Sequence, residues 1–182
     1  FRDRVRGEGM HPWGVPELHA LNLYDKLLKT CARPVRFRMD YRGSTLIRER
    51  DLIETTPQHS AAVDFYHPEM QEALLKEAID AGVEVQRGVA VTKAIGGTAP
   101  GVIASIDGAE QRFPARLVVG ADGRQSLVRR DGKFKVSRDP NWLRISGALF
   151  EGMGAPENAV HVFTAPNFGH VSLLFPIGGG RI

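Results

Sequence analysis

Residues 117–130 read LVVGADGRQSLVRR, an apolar run that ends in Gly-Ala-Asp-Gly and restarts as a basic segment containing a serine. A short run without alternation predicts a strand buried on both faces, as in a parallel sheet. The glycines then predict a sharp turn, and RQSLVRR a helix. The carboxyl end of a strand is the usual ligand position in an open α/β sheet. Asp122 stands at that edge, and two readings of it are open. Its carboxylate can accept hydrogen bonds from sugar hydroxyls, with Gly120 and Gly123 allowing close approach of the ligand. It can equally be the cap of the helix that follows.

Working upstream, VEVQR, VAVTKAI, VIASI and AEQRF, separated by Gly96-Gly97 and by Asp107-Gly108, predict an antiparallel meander over residues 83–113. Asp-Gly is a strong two-residue hairpin signal. Before it, PEMQEALLKEAIDA predicts a helix over 68–81, with Met70, Leu74, Ala78 and Ile79 on its inner face and Gly82 as its left-handed stop. Residues 51–62 read as an irregular loop. In PVRFRMDYR, Val35, Phe37, Met39 and Tyr41 alternate with Arg36, Arg38, Asp40 and Arg42, which predicts a strand with one wet face. VPELHALNLYDKLLKT predicts one amphipathic helix over 15–30, with Pro16 near its start. Downstream, WLRISGALF, AVHVFTA and HVSLLFP read as strands, with turns at 152–156 and 166–169.

The chain has 182 residues, 42% of them hydrophobic and 25% charged, enough apolar content for a buried core. No apolar stretch reaches the roughly 20 residues of a membrane helix, and the charged start FRDRVRGEG does not resemble a signal peptide; together these favour the cytoplasm. Cys31 is the only cysteine, which excludes an internal disulfide and any multi-thiolate metal site. The net charge of +3 has its basic excess in residues 1–50 and suits an anionic ligand. Nucleic acid is disfavoured, because the basic residues are scattered along strands without a recognition motif. His11, His19, His59, His161 and His170 lack metal-ligand spacing.

LVVGADGRQSLVRR resembles the DG motif of the FAD-dependent aromatic hydroxylases, the class A flavoprotein monooxygenases. Asp122, Gly123, Ser126 and Arg129 fall on the motif positions, and the resemblance implies that the aspartate serves FAD binding and the transit of the nicotinamide cofactor. DRVRGEGMHPWGV resembles the family segment in which an R-x-R-G arginine approaches the FAD pyrophosphate; Arg6 is the best match and Arg4 its neighbour, and the planar donor fork of arginine suits phosphate oxygens. His67 stands where the family usually carries Arg or Gln against the cofactor, a departure that leaves that contact open.

The resemblance implies an α/β chain with the FAD/NAD(P)-binding fold, a parallel sheet with an antiparallel meander, followed by the start of a mostly antiparallel substrate-covering sheet. Residues 1–140 would be a partial FAD-binding domain lacking its first strand-turn-helix unit, and 141–182 the start of the substrate-domain sheet. The family's G-x-G-x-x-G turn and its later Gly-Asp motif are not in the sequence, so truncation at both ends is the expectation. The implied activity is that of an oxidoreductase: NAD(P)H reduces the flavin, which reacts with O2 to a hydroperoxide that hydroxylates a small, often aromatic, substrate. The cofactor carries that chemistry, so no side chain need be a nucleophile. Trp142, Phe150, Phe163, Phe168 and Phe175 are candidates for the substrate wall or for ordinary core packing. A halogenase or reductase on the same FAD fold, and a cofactor-free binding module, are the alternatives.

Overall fold

The computed structural model describes residues 9–140 and 144–182. The chain divides into two compact units, Phe1–Val83 with Ile145–Ile182, and Glu84–Arg144.

In the first unit, strands β1 (Gly9–Met10), β2 (Ala32–Val35) and β5 (Ala62–Phe65) form a three-stranded antiparallel sheet in the order β1-β5-β2. All four residues of β5 are buried, so the central strand is covered on both faces. Val63 and Phe65 join Val15 in the main apolar cluster, with Met10, Tyr24, Leu28, Ala32 and Met70 packed against it.

Helices supply that cover, but residues 15–30 are not the single helix that their periodicity predicts. Helix α1 (Val15–Ala20) stops, and α2 (Tyr24–Thr30) begins afresh. Asn22 adopts φ 56°, the Asn22 N–H donates to the His19 carbonyl, and the Leu23 N–H donates to that of Leu18. This is a Schellman stop with asparagine in the left-handed position that glycine usually takes. Helix α4 (His67–Asp80) ends the same way: Gly82 has φ 89°, its N–H donates to Ile79 and that of Val83 to Ala78. The expected stop at Gly82 is therefore present. Ile79, expected inward, is instead exposed. Lys26 of α2 forms an ion pair with Glu77 of α4.

The second sheet of this unit has the order β10-β9-β3-β4, from β3 (Phe37–Arg42), β4 (Thr45–Asp51), β9 (Ala159–Ala165) and β10 (His170–Leu174). Outer pairs are antiparallel, and β3 with β9 is the parallel pair. The expected strands AVHVFTA and HVSLLFP are present, joined through Pro166–Phe168 and the left-handed Gly169. Residues 51–62 are not wholly irregular, since α3 (Leu52–Thr55) is capped by the Asp51 carboxylate, which accepts from the Ile53 and Glu54 N–H groups. Residues 144–150 of WLRISGALF form no strand, and Trp142 lies outside the described residues. Phe163 and Tyr41, both half-buried, stack with centroids 4.5 Å apart. Phe150 is half exposed.

The second unit contains β6 (Ala90–Ile95), β7 (Gly101–Ile106) and β8 (Ala109–Pro114), an antiparallel meander. Asp107 and Gly108, with φ 50° and 83°, make the two-residue hairpin that the sequence announces. VEVQR does not join the meander. Residues 117–120 form no strand either, and Leu117 and Val119 are 74% and 76% exposed. A parallel strand exists only beside a hydrogen-bonding neighbour, and among the described residues none lies beside this segment. Helix α5 (Leu127–Asp131) follows the turn.

Candidate cofactor site at the Gly-Ala-Asp-Gly turn

The turn is built by three residues with separate jobs. Gly123 has φ 78°, a left-handed conformation that reverses the chain, and nothing lies within 4 Å of where a side chain would start. Gly120 does something else. A Cβ there would lie 2.7 Å from Val128 Cβ and 2.9 Å from its Cγ1, so its missing side chain is the space that Val128 of α5 fills. Glycine at 120 therefore lets α5 pack close against the turn. Asp122, exposed at the turn, accepts at Oδ2 from the Leu127 N–H at 2.6 Å and from the Val128 N–H at 3.2 Å.

Ser126 completes the cap, its Oγ accepting from the Arg129 N–H at 3.0 Å. The first three N–H groups of α5 are therefore satisfied by side chains of the same turn. The helix start offers no free donors to a phosphate, and what the turn presents outward is an ionised carboxylate. Such a group suits hydroxyl donors, because a carboxylate has about four lone-pair sites and the helix takes only some of them. Arg129 points back into the loop, where its Nη2 donates to the Arg124 carbonyl at 2.6 Å. In this structure it braces the turn.

The Ser126 hydroxyl, followed by N–H groups of Val128, Asp122 itself and Leu127, holds the Asp122 carboxyl below its ordinary value of 3.8, with desolvation opposing. A depressed folded pKa stabilises the fold above the unfolded value, and that contribution is lost as pH falls through the folded one. Acidification below 3.8 is accordingly expected to loosen this turn, and Asp122→Asn to flatten that part of the profile. Hydrogen exchange at the Leu127 and Val128 amides against pH measures it; identical profiles in both proteins would remove Asp122 from the account.

Sequence reasoning missed Asp131, at the other end of α5. Its Oδ2 accepts from the Ala94 N–H at 2.9 Å, tying the helix to β6, and the Ala94 N–H first, then Arg130, keeps its carboxyl below the usual range. No motif marks it, because the partner is a backbone group distant in sequence.

Of the other expected contacts, His67 is the half-buried first residue of α4 in the first unit. Arg4 and Arg6 lie outside the described residues. Among the described residues no cluster of His, Cys, Asp and Glu could hold a metal, and no helix is long and apolar enough to cross a membrane.

Residues 2–177, nearly the whole chain, match the family model of the FAD binding domain. The chain belongs to this family. Solved structures carry the same fold. PqsL of Pseudomonas aeruginosa, described as a probable FAD-dependent monooxygenase, superposes with a TM-score of 0.72 at 21% identity over 100% of this chain and 50% of its own. HpxO of Klebsiella pneumoniae, complexed with FAD, gives 0.67 at 21% over 96% and 45%. The p-nitrophenol 4-monooxygenase PnpA of Pseudomonas putida gives 0.56 at 16% over 72% and 34%. This FAD-binding domain thus spans about half the length of PqsL. No curated protein sequence matches it.

Proposed function

We propose that this chain is the FAD-holding part of a flavin-dependent monooxygenase that takes reducing equivalents from NAD(P)H and hydroxylates a small aromatic substrate with O2. FAD, when bound, supplies the redox chemistry; the chain's own residues bind, orient and shield it. In this reading Asp122 receives hydroxyl hydrogen bonds of the cofactor while it caps α5, and the open space over Gly123 lets the cofactor approach the backbone. By the family resemblance Arg4 and Arg6 are assigned to pyrophosphate binding and His67 to cofactor contact. Residues 1–140 serve the cofactor and 141–182 the substrate, in the cytoplasm.

The observation that carries the proposal is the turn at 120–123, in a chain of the FAD binding domain family: an exposed carboxylate, held by the N–H groups of its own helix, beside an unobstructed glycine. The test separates the two roles of Asp122. Loss of charge-assisted hydrogen bonds in Asp122→Ala is expected to weaken FAD binding by about tenfold to a hundredfold. FAD titration of the complete enzyme, followed by flavin fluorescence, measures this, with the apo-protein melting temperature recorded alongside. Unchanged FAD affinity with a lowered melting temperature would leave Asp122 a cap alone and withdraw the proposal's main support.

A further inference from the structure

The two faces of the β10-β9-β3-β4 sheet differ in chemistry. Period-2 alternation puts Met39 and Tyr41 on one face of β3, and Arg38 and Asp40 on the other. Residues 37–41 are all half-buried, so the face that PVRFRMDYR predicts to be wet is covered over Arg38 and Asp40. The parallel register sets Met39 beside His161 and Tyr41 beside Phe163. These four side chains form a square on one face. On the other, Arg38, Val160 and Val162 line a cavity of about 400 Å³.

His161 is 3% exposed, and its two ring nitrogens meet different partners. Nε2 lies 3.4 Å from the Pro156 carbonyl oxygen, and Nδ1 lies 3.2 Å from the Tyr41 hydroxyl. Among the described residues no carboxylate pairs with the ring. An unpaired charge so deeply buried is costly, so the imidazole is neutral and carries one N–H. A carbonyl can only accept, which assigns that N–H to Nε2 and leaves the Nδ1 lone pair facing the phenol. Tyr41 is therefore the donor, and its O–H points at a base. The Met39 sulfur lies 3.5 Å from the same oxygen, and the Phe163 ring stacks on that of Tyr41 at an interplanar angle of 12°.

We infer that Tyr41 and His161 form a proton-coupled redox site: a strong one-electron oxidant, the class to which oxygen-derived radicals belong, takes an electron from Tyr41 while the phenolic proton crosses to His161 Nδ1. The O–H bond breaks and an N–H bond forms. The products are a neutral phenoxyl radical, an imidazolium still bonded through Nε2 to the Pro156 carbonyl, and the reduced oxidant. Taking the electron alone would leave a phenol cation in a poorly solvated place, and the base at Nδ1 removes that cost. Aromatic and sulfur neighbours pack the ring that holds the unpaired electron. An electron from a thiolate in solution, with the proton returning from His161, restores the pair. Oxidising equivalents thus settle on the face turned away from the cavity. Only the source of such an oxidant within the protein rests on the monooxygenase reading.

The test supplies the oxidant in solution, as photogenerated ruthenium(III) tris-bipyridine, to the full chain without FAD. The tyrosyl radical is read by its transient absorption and its electron paramagnetic resonance. The chain has three tyrosines, Tyr24, Tyr41 and Tyr66. Tyr41→Phe is expected to remove most of the tyrosyl signal, and Tyr24→Phe and Tyr66→Phe to retain it. His161→Gln can accept a hydrogen bond but is no base, and should slow radical formation by about a hundredfold, the lower end for losing a positioned base. In the unaltered chain the same rate should fall in heavy water, a measurement that depends on no variant. A tyrosyl signal that survives Tyr41→Phe, an unchanged rate in folded His161→Gln, or equal rates in the two solvents would each overturn the inference. Because no FAD is present, these outcomes leave the flavoenzyme reading untouched, and the loss of that reading leaves this site standing.

Discussion

Phe65→Ala is expected to remove about 3–5 kcal/mol from the stability of the first unit, the range for truncating a buried phenylalanine. Phe65 is 7% exposed, packs with Val15 and Val63, and sits on the central strand of its sheet, paired with Ala32. Truncation would leave a cavity facing α1, whose Val15 is fully buried and cannot follow without breaking its own contacts. Against a total of about 5–15 kcal/mol for a typical domain, such a loss leaves little margin. Urea unfolding followed by far-ultraviolet circular dichroism measures it. Val119→Ala is the control, since a residue 76% exposed should change stability by less than about 0.5 kcal/mol. Similar effects in the two variants would mean that the cluster around Val15 is not the core.

The second large effect is expected at Gly120. An alanine there brings a carbon to 2.7 Å from Val128 Cβ. Valine is stiff at χ1 and sits on a helix, so it cannot swing aside; α5 itself must shift, at about 1–3 kcal/mol. The shift would also pull Leu127 and Val128 away from the Asp122 carboxylate that receives their N–H groups. Val128→Gly removes that carbon, and the double variant should therefore be more stable than the sum of the single changes allows. A double-mutant cycle in melting experiments reads that coupling. Strict additivity would show that Gly120 and Val128 do not compete for one space.

Legibility in the sequence followed the range over which each feature is decided. The Asp107-Gly108 hairpin, the stop at Gly82 and the strands AVHVFTA and HVSLLFP rest on local chemistry and were readable. The break at Asn22 was readable in principle, since asparagine tolerates the left-handed conformation, but the leucine spacing on both sides masked it. Residues 117–119 have the composition of a buried strand, yet strand formation requires a neighbour, which composition does not contain. For Asp122 the residue was legible and one of its jobs is now visible as a cap; the sugar-binding role remains the proposal. The surroundings of Arg38 and Arg50, paired across β3 and β4, were not legible: Met10, Pro57, Val160 and Leu173 share a cavity with them only once the sheet has folded.

The parallel pairing of β3 with β9 also bears on how the molecule comes off the ribosome. Phe37 pairs with Ala159, and all of residues 38–158 must be synthesised before that contact can form. During that interval β3 has its antiparallel partner β4, a local hairpin, but its other edge is bare, and closing so long a loop is slow compared with making a hairpin. The intervening Glu84–Arg144 stretch, whose own sheet pairs only neighbours in sequence, can complete itself in the meantime. The β10-β9-β3-β4 sheet is thus among the last parts of the nascent chain to be assembled, and until then an open strand edge waits on residues not yet made.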